Sequence, residues 1–220
     1  MTLARPRPAP PTTTAGRLPD FLLIGATKCG TTSLHDWLER HPEIFVSPWK
    51  EMRFILPGFR WENGIGWYAR QFADAGPLQA AGECSNGYGR GAEHAGVPER
   101  IAAHLPGVRL VCLIREPMAR LRSRYRHRLA TGREWRDPDA AIDAGPAYVE
   151  TGRYGAELAR WHAVFPAEQI LVLRSEHLFT APERELGRLA DHLGVAARPD
   201  IVFGDENRSD ERAALPLPLR

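Results

Sequence analysis

Residues 25–33 read Gly25-Ala26-Thr27-Lys28-Cys29-Gly30-Thr31-Thr32-Ser33, directly after the apolar run Phe21-Leu22-Leu23-Ile24. A lysine in a glycine-bounded loop, followed by hydroxyl residues that open a helical pattern, is suited to holding a phosphate-like anion. Backbone N–H groups at a helix N-terminus point at the anion, and the lysine adds a full positive charge. A nucleotide-kinase loop, G-x-x-x-x-G-K-[ST], sets its lysine after the second glycine. Gly25 and Gly30 keep that separation, but Thr31 stands in the lysine's place and Lys28 lies inside the loop. The loop reads as an anion site and a poor ATP loop.

A second set of anion-binding groups follows the run Leu110-Val111-Cys112-Leu113-Ile114. Arg115 ends that run, and Ser123 lies two helical turns into the next element. A guanidinium grips a phosphate with parallel N–H groups, and a serine hydroxyl donates to another oxygen. Arg120, Arg124 and Arg128 recur at i, i+4 spacing. Alone, and with Arg124 excepted, they read as a solvated helix face; the competing reading is an electropositive rim that attracts a cofactor or an acidic acceptor.

These groups need a scaffold, and the chain alternates short apolar runs with helical patterns. Strands are expected at 21–24, 44–46, 78–83, 109–114 and 170–173. Helices are expected at 32–40, 64–73, 98–104, 117–131, 155–165 and 182–193. Pro98, Pro117 and Pro182 suit first helical turns, and Gly194 suits a C-terminal cap. Such alternation predicts an α/β fold, one domain with a central parallel sheet flanked by helices. Ligands in such sheets bind beyond the carboxyl ends of the strands, where the Gly25–Gly30 loop emerges.

With 220 residues the chain has material for one domain with a buried core. A net charge of +2 gives no general polyanion-binding signature, so any anion site must be local and no nucleic-acid partner is expected. Cys29, Cys84 and Cys112 are sparse and odd in number, which fits a reducing compartment and a cytoplasmic location. They show no zinc spacing, and no metal site is expected. No apolar run approaches membrane-spanning length. Residues 1–19, rich in proline and arginine, read as a flexible tail ahead of a domain over 20–220.

The two anion-binding stretches, in this order, resemble the sulfotransferases that use 3′-phosphoadenosine 5′-phosphosulfate (PAPS). The branch is that of the heparan sulfate sulfotransferases and their bacterial relatives, and the similarity runs over roughly residues 20–195. It also takes in Lys50-Glu51-Met52-Arg53-Phe54, Gly82-Glu83-Cys84-Ser85 and Tyr154–Trp161. The resemblance implies a P-loop-like nucleotide-binding fold and sulfuryl transfer from PAPS to a hydroxyl or amine, leaving 3′,5′-adenosine bisphosphate. It implies that Lys28, Cys29, Gly30, Thr31, Thr32 and Ser33 hold the 5′-phosphosulfate. Arg115 and Ser123 would then hold the 3′-phosphate. Glu51 aligns with the family's catalytic glutamate, so the resemblance implies that Lys28 and Glu51 carry the catalysis.

Two positions depart from the family pattern. Arg53 stands where histidine is usual, and Cys84 where heparan sulfate enzymes carry a second lysine; both fall on the acceptor-binding side. Family members continue into a cofactor-covering loop and a further helix. This chain is short there, with Asn207 and Arg208 as the residues assigned to that loop. A small-molecule or saccharide acceptor is expected, and the sequence does not name it. Two other functions fit the residues: a P-loop kinase using ATP and magnesium, and a nucleotide-binding module without catalysis.

Overall fold

The computed structural model describes residues 16–145 and 147–204, and the backbone of residues 12 and 13. The strands are β1 (Thr12–Thr13), β2 (Gly16–Arg17), β3 (Phe21–Gly25), β4 (Ile44–Val46), β5 (Ala80–Cys84), β6 (Arg109–Ile114) and β7 (Ile170–Arg174). The α-helices are α1 (Thr31–Arg40), α2 (Gly64–Arg70), α3 (Val97–His104), α4 (Pro117–Ala130), α5 (Pro138–Ala144), α6 (Ala147–Glu150), α7 (Tyr154–His162), α8 (Ser175–Thr180) and α9 (Pro182–Leu193).

Strands β3 to β7 form one parallel sheet in the order β4-β5-β3-β6-β7, as the alternating pattern predicts. The phosphate-loop strand β3 is central, with Phe21 opposite Gly82 on one side and Arg109 on the other. Because side chains alternate along a strand, β3 feeds two cores. Leu22 and Ile24 pack with Ile101, Tyr68, Phe72 and Trp161 on one face. Phe21 and Leu23 pack with Leu34, Trp37, Leu189 and Leu193 on the other. Both faces are covered, which is why the strands read as near-continuous apolar runs. Gly82 is a packing requirement: a Cβ there would fall 2.1–2.4 Å from three atoms of the Phe21 ring.

Helix signals act where the sequence places them. The Glu116 carboxylate caps α4 by accepting from the N–H groups of Met118 (2.8 Å) and Ala119 (2.6 Å), and Pro117 fills the first turn. Gly194 closes α9 in the left-handed conformation. Three short helices, α5, α6 and α8, carry too little periodicity to be seen in the sequence. The fifth expected helix is shifted to Tyr154–His162, and the second stops at Arg70. Leu18 and Pro19, read as part of the tail, are buried, and the Arg17 side chain donates to the Gly76 carbonyl (3.1 Å). The ordered fold therefore includes residues 16–19. No helix among the described residues is long and apolar enough to cross a membrane.

Candidate active site

The phosphate loop leaves β3 and is pinned at once to its neighbour strand, since Ala26 N–H donates to the Leu113 carbonyl (2.7 Å). Lys28 takes a positive φ of 69°, and Gly30 follows at 88°, a region that glycine enters without strain. The chain then enters α1, whose bond from Leu34 N–H to the Gly30 carbonyl (3.1 Å) closes the first turn. The backbone N–H groups of Thr31, Thr32 and Ser33 precede that bond, at the positive end of the helix dipole. Lys28 and Thr32 are half-buried, whereas Thr31 and Ser33 are buried. Cys29 is fully buried, with its sulfur 3.5 Å from the Tyr154 hydroxyl. Burial pushes its thiol up to about 11, so Cys29 offers the site its backbone and no thiolate.

Arg115 emerges from the end of β6 beside this loop. One of its terminal nitrogens reaches the Lys28 carbonyl (3.4 Å), so the Arg115 guanidinium touches the backbone of the loop. Ser123, buried two turns into α4, lies on the element that follows. The loop from Lys28 to Ser33 and Arg115 thus meet at the carboxyl ends of β3 and β6, while Ser123 lies further along α4. Asn207 and Arg208 lie outside the described residues.

Glu51 sits across the sheet edge, after β4. Its N–H donates to the Cys84 carbonyl (2.9 Å) at the end of β5, and its backbone is left-handed at φ 57°. One carboxylate oxygen accepts from the Asn86 N–H (3.1 Å), and the other from Arg53 Nε (3.3 Å). The Asn86 side-chain amide in turn donates to Thr31 Oγ1 (3.0 Å). A single asparagine therefore joins the carboxylate to the first helical residue of the phosphate loop. Sequence reading missed Asn86; the signal available was its place directly after the Gly82–Ser85 stretch.

Arg53 lies at the site, ion-paired to Glu51, with a partly exposed guanidinium 5.4 Å from the Phe59 ring centre. Its left-handed backbone, φ 56°, is held from below by Glu83. That carboxylate is fully buried and accepts from Arg53 N–H (3.1 Å), Ser85 Oγ (2.5 Å), Tyr88 hydroxyl (2.8 Å) and the Tyr68 hydroxyl. Burial pushes the Glu83 carboxyl above the usual range, and the four donors oppose that shift. Glu83 is a structural anchor for the loop that carries Glu51. The Cys84 side chain, expected on the acceptor side, is instead turned into the core; its contribution is the carbonyl that holds Glu51. A buried thiol in a strand with both faces covered has no path to an acceptor.

These features define a class: an α/β protein with a P-loop-like strand–loop–helix at the carboxyl ends of a parallel sheet and a carboxylate tied to it. The comparisons with known proteins narrow the class. Residues 68–199 match the model of the sulfotransferase family, and the chain belongs to that family. It is 28% identical, over 90% of its length, to bovine (Bos taurus) bifunctional heparan sulfate N-deacetylase/N-sulfotransferase 2. It is 30% identical, over 83% of its length, to human (Homo sapiens) heparan sulfate glucosamine 3-O-sulfotransferase 5. The chain spans 24% of the bovine protein and 55% of the human one. A sulfotransferase from Alicyclobacillus acidocaldarius shares the fold with a TM-score of 0.74 and 27% identity, over 86% of this chain and 85% of that one.

Proposed function

We propose that the chain transfers a sulfuryl group from PAPS to an acceptor hydroxyl or amine. The observation that carries this reading is the Glu51–Asn86–Thr31 link, which couples a proton-accepting carboxylate to the mouth of the phosphate loop. When bound, PAPS supplies the sulfuryl group and a bisphosphate leaving group. The N–H groups that open α1 cradle its 5′-phosphate, and Arg115 with Ser123 takes the 3′-phosphate. The Lys28 ammonium neutralises negative charge as it grows on the departing oxygen, a pre-set electrostatic contribution. Glu51 accepts the acceptor's proton, an effect on the order of 10²–10⁴-fold. Arg53 and Asn86 fix which way that carboxylate points. Lysine inside the loop suits a phosphosulfate, whereas a kinase loop carries it after the second glycine.

Transfer of labelled sulfate from PAPS to a panel of small-molecule and saccharide acceptors tests the reading in wild type and Lys28→Ala. The variant should lose on the order of 10²-fold or more of the rate, the scale for removing one pre-set electrostatic group. Full activity in the variant would overturn the assignment. Magnesium-dependent stabilisation by ATP far exceeding that by 3′,5′-adenosine bisphosphate would point to a kinase instead.

A further inference from the structure

Helix α1 carries three residues that neither the donor nor the acceptor assignment uses: His35, Asp36 and Glu39. The i, i+4 spacing sets His35 and Glu39 one turn apart on one face, and Asp36 stands beside them. His35 Nδ1 lies 3.8 Å from Asp36 Oδ1 and 3.6 Å from Glu39 Oε2. The three donor atoms all fall within 4.8 Å of one another. Among the described residues no other group of three histidine, cysteine, aspartate or glutamate donors converges this closely. The absence of zinc-like cysteine spacing is no guide here, because the three donors include no cysteine.

His35 is the member that asks for a ligand. It is 5% exposed, yet neither of its ring nitrogens has a hydrogen-bond partner among the described residues. A buried polar group left without a partner costs about 1–3 kcal/mol. The carboxylates that Nδ1 faces stand beyond hydrogen-bond distance, so they do not meet that need directly. Both carboxylates reach solvent, and neither pairs with a lysine or arginine among the described residues.

The gap between the three donors has the dimensions of a metal ion. Zinc binds imidazole nitrogen and carboxylate oxygen at about 2.0–2.2 Å in a tetrahedron, which sets two ligands about 3.4 Å apart. The observed 3.6 and 3.8 Å exceed this by a few tenths of an ångström, a difference that rotation of two solvent-reaching carboxylates takes up. One neutral imidazole with two carboxylates also balances the charge of a dication. The mixed nitrogen and oxygen set suits zinc better than calcium or magnesium, which take oxygen ligands.

We propose that His35, Asp36 and Glu39 form a zinc site on α1, with water in the fourth position. The ion gives the buried imidazole its missing partner and ties one turn of the helix to the next. None of its ligands belongs to the groups assigned to PAPS or to proton transfer, so the proposal stands apart from the sulfotransferase reading. Its role is to steady the helix whose first turn opens the phosphate loop.

Zinc chloride is the probe, titrated by calorimetry into the full chain after removal of metal with EDTA, at about pH 7.5 where an imidazole is mostly neutral. Wild type should bind one zinc per chain. Glu39→Gln and Asp36→Asn, at solvent-reaching positions that the fold tolerates, should each weaken binding by about tenfold or more, the scale on which metal sites respond to altered ligation. Zinc should raise the Tm of wild type and EDTA should reverse the rise, while Glu39→Gln shows neither change at the same concentrations. His177→Gln serves as the control, because His177 is another histidine near a carboxylate, 3.9 Å from Glu185. Binding that survives both carboxylate substitutions overturns the proposal, as does binding abolished by His177→Gln. Failure of wild type to take up zinc at about millimolar concentration overturns it as well, and leaves His35 beside its carboxylates without a metal.

Discussion

Replacing Glu83 by alanine should unfold the catalytic edge before it does anything else. The carboxylate is fully buried and accepts from the Arg53 N–H and the hydroxyls of Ser85, Tyr88 and Tyr68. Alanine leaves all four donors without that acceptor. An unsatisfied buried donor costs about 1–3 kcal/mol, and the hydroxyls recover part of this by turning elsewhere. The Arg53 N–H keeps the Ser85 oxygen (2.9 Å). A net loss of about 4 kcal/mol follows, in the range for breaking a buried polar network. At about 2–4 °C per kcal/mol for a chain of this size, Tm should fall by about 8–16 °C. Glu83→Gln keeps one acceptor oxygen for three of the donors and presents an amide to the Tyr68 hydroxyl, which is able to accept. Its cost should be about 1–2 kcal/mol. Circular dichroism melts of the three proteins measure both numbers. An alanine variant that melts within about 2 °C of wild type would show that the loop bearing Glu51 does not depend on this carboxylate.

Two further perturbations probe the scaffold. Gly82→Ala should destabilise by about 1–3 kcal/mol through overpacking against Phe21, with partial recovery when Phe21→Leu is added; denaturant melts showing an unperturbed single variant would contradict this. Burial lowers the His192 pKa from 6.5 to about 4, with Arg109 adding to the shift and the hydrogen bond to the Leu110 carbonyl opposing it. The stability linked to this depressed pKa is present above pH 6.5 and is lost as the pH falls toward 4, by about 2 kcal/mol at about pH 5. His192→Gln should therefore flatten the acid limb of a Tm-against-pH curve, and an unchanged limb would refute the assignment.

The sheet was legible because its strands are buried on both faces, so each announces itself as a short apolar run between helical patterns. The positions of the Gly25–Gly30 loop and Arg115 were legible because both are local to strand ends. Distances across the chain were not. Nothing in the i, i+4 spacing of Arg120 and Arg124 reports that both are buried against Tyr148. The Glu51 and Arg53 backbones are left-handed, although neither is glycine, because Cys84, Glu83 and Ser85 hold them from another strand. Cys84 misled for a related reason. Its place in the motif fixes where its backbone lies, while the direction of its side chain follows the pleat of β5, which points it into the core.

The hydrogen bond from Arg115 to the Lys28 carbonyl, together with the bond from Ala26 to Leu113, fastens the phosphate loop to β6 at two points. The backbones that carry Lys28 and Arg115 then keep a spacing dictated by the sheet. In the proposed donor site such a pair would work as a caliper. A ligand with anionic groups set at the matching interval closes on both jaws at once and gains the advantage of two linked attachments. A ligand whose anionic groups are spaced otherwise engages one jaw at a time and dissociates as a monovalent binder would. Selectivity among nucleotides at this site would thus be a matter of length before it is a matter of base.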